Sequence, residues 1–145
     1  MYLLTLSTTK RPAMTYLEHF SAEILLLLFL IIVFLQSGID KIFDWKGNVT
    51  WLKDHFSQTP LQKWVPFLLF TILIFETVSG ILCGVGLLEI IVYGKAEYAF
   101  YGSVLSCISL LMLLFGQRLA KDYEGAKNIA VYFIPAIILV YILRT

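Results

Sequence analysis

The chain has 145 residues, 59% hydrophobic and 14% charged, with a net charge of +1 at neutral pH. A soluble domain carries roughly 45–50% apolar and about 25% charged residues, so a mean hydropathy of +0.84 is more than a core of this size can hide from water. Near-neutral charge leaves no basic footprint for nucleic acid, and Cys83 and Cys107, each inside an apolar run, form no disulfide framework.

In chain order, residues 1–13 read as a flexible polar tail. The run "AEILLLLFLIIVFLQSG" follows. It lacks a small-x-small cleavage site and is expected to be an uncleaved first span over about 20–41, with Glu23 in the first turn, where a helix N-terminus tolerates a negative charge. The connection "DKIFDWKGNVTWLKDHFSQ" places Val49, Leu52 and Phe56 on one helical face beside Trp51. That pattern predicts a short amphipathic helix lying in the membrane interface. "TPLQKW" then offers Thr59 as N-cap, Pro60 at the first helical position and Gln62 as capping-box partner. The second span should therefore cover 60–93 and stop at Gly94.

A third span is expected over 96–117 and a fourth over 126–143, each near the roughly 20 apolar residues a bilayer needs. Pro135 in the fourth is tolerated when neighbouring helices satisfy the freed backbone groups. Trp45, Trp51, Trp64, Tyr93, Tyr98 and Tyr123 sit where aromatic belts form. The expected fold is an all-α membrane protein: one antiparallel four-transmembrane-helix bundle with an interfacial helix in the 1–2 loop. Lys41, Lys46, Lys53, Lys63, Arg118, Lys121 and Lys127 fall on the side of the 1–2 and 3–4 loops, against Lys10, Arg11, Lys95 and Arg144 on the other. The positive-inside rule then puts both termini outside.

Glu76 stands out. A charge at the centre of a membrane-embedded helix costs at least ~2.5–3.5 kcal/mol, so something nearby must offset it. Glu76, Gly80 and Cys83 share a face at i, i+4 and i+7, and Gly80 with Gly84 makes a GxxxG pair that invites another backbone. Gly102, Ser106 and Ser109 form a second small-residue stripe on the third span, so the second and third spans are expected to pack closely, with Glu76 turned inward. At 1.5 Å per residue Glu76 lies about 18 Å beyond Trp64, near the midplane. Gln36, Asp40 and Lys41 at the end of the first span, and Arg118 at the end of the third, are its expected partners. The resulting site is a pocket open to the loop side with Glu76 at its floor. The plainer alternative is a carboxyl group that only satisfies a serine or a backbone carbonyl.

"FLQSGIDKIFD" and "FETVSGILCGVGL" together resemble the DoxX family of small bacterial membrane proteins, through Gly38, Lys41, Glu76, Gly80 and Gly86. The resemblance covers most of the chain and implies a multi-pass protein of the bacterial inner membrane. It further implies an accessory subunit of a quinone-linked or thiol and oxidative-stress complex, with membrane, periplasmic or cytoplasmic subunits as partners.

No histidine lies inside a span to ligate haem, and no clustered carboxylates suggest copper or di-iron. The expectation is no intrinsic metal or cofactor and no catalysis by this chain alone, with quinone or lipid as the ligands to consider. Two functions of different class stay open: the accessory subunit, and a binder or carrier of a small hydrophobic, lipid-like molecule in an inward pocket with a polar floor.

Overall fold

The computed structural model describes residues 11–145. The chain forms α1 (Pro12–His19), α2 (Ser21–Phe43), α3 (Trp45–His55), α4 (Val65–Tyr93), α5 (Glu97–Leu119) and α6 (Tyr123–Arg144), with a 3-10 turn at Gln62–Trp64 leading into α4. Helices α2, α4 with its leading turn, α5 and α6 are each long and apolar enough to cross a membrane. The chain is thus a multi-pass membrane protein of the all-α class. Of the tail expected over 1–13, residues 1–10 lie outside the described residues. Pro12 already belongs to α1, at a position where its missing N–H leaves no bond unmade.

The second span starts later than the capping pattern suggests. Thr59 does not cap α4; its hydroxyl accepts from the Leu61 N–H at 3.2 Å and donates to the Phe56 carbonyl at 2.9 Å, closing a turn. The cause is Pro66, which cannot donate to a preceding carbonyl and so sits in the first turn of α4, where no donor is needed. At the other end Gly94 adopts φ 64° and stops α4 as expected, its N–H bonded to the Ile90 carbonyl at 2.9 Å. A Cβ at Gly94 would also strike the Tyr16 ring of α1.

The α5–α6 connection is a Schellman ending. The Asp122 N–H bonds the Gln117 carbonyl at 2.9 Å and the Lys121 N–H bonds the Arg118 carbonyl at 3.2 Å. Lys121 (φ 57°) occupies the left-handed position where glycine is usual. Asp122 then caps α6 by accepting from the Gly125 N–H at 2.8 Å. Helix α5 has alanine at its N-cap, without a capping side chain. Glu89 of α4 supplies the acceptor instead, bonding the Tyr98 N–H at 3.0 Å.

Packing centres on α4 and α5. Helix α4 lies against α5 and α2, and α5 also lies against α6. Leu27, Leu30 and Phe34 of α2 join Cys83 and Ile90 of α4, Ala99, Cys107 and Leu110 of α5, and Ala136 and Leu139 of α6 in one buried cluster. Glycine sets the closest approaches. A Cβ on Gly86 would overlap the backbone of Ala99, and one on Gly102 would lie 2.8 Å from the Cys83 nitrogen.

The GxxxG expectation needs correction. Gly80 faces α2, where a Cβ would come within 2.6 Å of Leu35, and at Gly84 nothing lies within 4 Å. The spacing sets a shared face on α4, whereas the crossing of its neighbours decides where a backbone comes close. Contact with α5 runs through Gly86 and Gly102.

Candidate functional site

Ser37 and Lys41 are one turn apart on α2 and share a face. Gly38, between them, lets that face approach α4: a Cβ there would lie 3.0 Å from the Thr77 hydroxyl. Opposite stands Glu76, 2% exposed. Lys41 Nζ lies 2.7 Å from Glu76 Oε2. The Ser37 hydroxyl donates towards the carboxylate, 3.2 Å from each oxygen. Lys41 in turn donates to Ser37 Oγ at 2.6 Å and to the Ser37 carbonyl at 3.3 Å.

An ammonium has three hydrogens, and these partners account for all three. The triad pairs an acidic with a basic side chain and is internally satisfied. Among the described residues, no buried side-chain nitrogen or oxygen lacks a hydrogen-bond partner.

Glu76, Lys41, Gln36, Asp40 and Arg118 are expected from sequence to form one site. Glu76 and Lys41 do meet. Gln36 and Asp40 do not join them, because each residue turns an α-helix by about 100° and their shared face is the exposed one. Arg118 is also exposed, and its guanidinium lies over the Tyr123 ring, 4.9 Å from the centroid. Ser37 was not singled out, although its place one turn before Lys41 was the available signal.

The small-residue stripe carries no open polar groups. The hydroxyls of Ser79, Ser103, Ser106 and Ser109 each bond a carbonyl of their own helix at 2.6–2.9 Å. They satisfy themselves and pack. Cys83 and Cys107 are buried free thiols, with Cys83 Sγ 3.9 Å from the Ser106 hydroxyl. Among the described residues no group of three or more His, Cys, Asp or Glu side chains could hold a metal ion.

Beside the triad lies a cavity of about 390 Å³. Trp51, Leu52 and Phe56 close it from the α3 side, Val65, Leu69 and Ile72 form its α4 wall with Leu61 just before the leading turn, and Met112, Leu113 and Phe115 form its α5 wall. Its polar side chains are Lys41, Asn48 and Gln117. Glu76 is not in the wall, so it is not the floor of this cavity. Lys41 lines the cavity, and Glu76 backs Lys41.

His55 holds the α3 end of this cavity in place. Its Nε2 lies 2.8 Å from Gln117 Oε1 and 3.5 Å from Asp122 Oδ2, and its ring stacks on Trp51 at 4.7 Å. One side chain thereby ties α3 to the Schellman turn between α5 and α6. The four-residue spacing from Trp51 to His55 was the available clue.

No family model, curated protein or solved structure matches the chain.

Proposed function

We propose that the chain is a small integral membrane protein that binds a hydrophobic, lipid-like molecule in the cavity beside Lys41. One observation carries this reading: an apolar chamber of about 390 Å³ with a few polar side chains at its edge, within the roughly 300–1,000 Å³ of small-molecule sites. In this reading the four spans form an antiparallel bundle in a bacterial inner membrane. Helix α3 lies in the interface as the roof of the chamber, and the α3 side faces the cytoplasm.

A second reading, as a DoxX-like accessory subunit of a quinone-linked or thiol-handling complex, is favoured by a separate observation. Lys41 and Glu76, which carry that resemblance, form an ion pair, and Gly38, Gly80 and Gly86 sit at helix contacts. A quinone would be a fitting occupant of the same chamber.

One experiment addresses both readings. The protein is extracted with its native lipids and analysed by native mass spectrometry, beside a Gly116→Leu variant. Gly116 lines the chamber, and a Cβ there would meet the Phe56 ring at 3.5 Å, an ordinary contact, so leucine fills the space without forcing the helices apart. A small molecule that accompanies the wild type and is missing from the variant is the expected result. A second chain at fixed stoichiometry would support the subunit reading. The bare chain alone in both samples would overturn both.

A further inference from the structure

We infer that the chamber selects an amphiphile with an uncharged, hydrogen-bonding headgroup, such as an alkyl alcohol or a monoacylglycerol, and discriminates against an alkyl carboxylate of the same length. This rests on the pocket reading above and adds the class of its ligand.

A lysine in the wall of an apolar chamber would ordinarily recruit a carboxylate. Here that charge is already matched. Lys41 Nζ sits 2.7 Å from Glu76 Oε2 and bonds Ser37 through both Oγ and the carbonyl, so a ligand carboxylate would find no free donor on it. The same ligand would also bring a second negative charge close to Glu76. Burying an ion without a partner carries a cost of several kcal/mol that a hydroxyl does not incur.

The other two polar wall residues are neutral amides with spare capacity. Asn48 uses its Nδ2 on the Asp44 carbonyl at 2.7 Å, which leaves its carbonyl oxygen as an acceptor. Gln117 uses its Oε1 on His55 at 2.8 Å, which leaves its amide nitrogen as a donor. Among the described residues neither of these atoms has another partner. Asn48 and Gln117 thus each keep one neutral hydrogen-bonding group, an acceptor and a donor, for which a ligand hydroxyl is a suitable partner.

Trp51 in the wall provides the readout. In a Trp45→Phe, Trp64→Phe background reconstituted in nanodiscs, quenching of Trp51 is titrated with 11-bromoundecanol and with 11-bromoundecanoate, each expressed per mole of bilayer lipid. Gly116→Leu in the same background separates the chamber from the bilayer. Quenching by the alcohol should be saturable and lost in Gly116→Leu, with at least about tenfold weaker binding of the carboxylate, a difference that a single unmatched charge comfortably supplies. Glu76→Gln, which keeps an acceptor for Lys41 but leaves its charge unmatched, should shrink or invert that ratio.

Equal affinity for both ligands in the wild type, with quenching still lost in Gly116→Leu, overturns the headgroup inference and leaves the pocket standing. Quenching that persists in Gly116→Leu overturns the pocket itself. A ratio unchanged by Glu76→Gln in a folded protein overturns the role given to the ion pair. If that variant does not fold, the wild-type comparison alone decides the inference.

Discussion

Lys41 and Glu76 bring opposite charges into a helix contact where neither would be tolerated alone. With the Lys41 side chain 15% and the Glu76 side chain 3% exposed, little water remains to screen whichever charge loses its partner. Removing one member of such a buried pair typically costs about 3–5 kcal/mol, whereas replacing both with apolar groups of similar volume is often close to neutral. Lys41→Met and Glu76→Leu should therefore each lower the unfolding midpoint in a mixed-detergent titration, and the Lys41→Met, Glu76→Leu double variant should recover most of the loss. Additive losses would mean that the two side chains do not act as a pair. Ser37→Ala should cost less, on the order of 1 kcal/mol, since the ion pair survives it.

At the scale of elements, glycine position matters more than glycine count. Gly84 and Gly86 lie two residues apart on α4, yet a Cβ on Gly86 would overlap Ala99 of α5 while one on Gly84 would touch nothing within 4 Å. Gly86→Leu should force α4 and α5 apart and cost about 3 kcal/mol or more, the upper end of overpacking penalties. Gly84→Leu should stay within about 0.5 kcal/mol of wild type, as surface substitutions generally do. Thermal aggregation of the two purified variants, run side by side, checks the contrast, and indistinguishable midpoints would refute the α4–α5 contact described here. The same logic explains the late start of α4. A capping pattern at Thr59 is a local preference, and Pro66 a few residues on is a covalent restriction that overrides it.

For the whole molecule, the bundle reading implies that α3 and the α5–α6 turn lie on one side of the membrane and the α4–α5 turn on the other. Thr50, Lys121 and Lys95 are all exposed, and Cys83 and Cys107 are buried, so single cysteines introduced at the three positions can be labelled individually. In sealed inverted vesicles, Thr50→Cys and Lys121→Cys should react with a membrane-impermeant maleimide and Lys95→Cys only after permeabilisation. Reaction of all three before permeabilisation would contradict the bundle topology. The reverse pattern would keep the topology and invert the orientation that the lysine and arginine distribution suggests.

Helix class, four spans and the stop at Gly94 were legible in the sequence because they depend on local properties: apolar run length and glycine's freedom at positive φ. That Glu76 needs a polar partner was equally legible, since an ionisable group inside an apolar span is costly. Which cation matches it was not. Lys41 and Arg118 were both expected partners, and the rotation of α2 against α4 chose Lys41 with Ser37 beside it and left Gln36 and Asp40 outside. The chamber was less legible still, because its walls come from α3, α4 and α5, far apart in the chain. His55, which ties α3 to the turn before α6, reads in sequence as one polar residue after an apolar face. Length, hydropathy and local backbone restrictions act within a few residues and survive without a partner, whereas helix rotation, close approach and cavity shape exist only between helices, and the tertiary structure alone decides them.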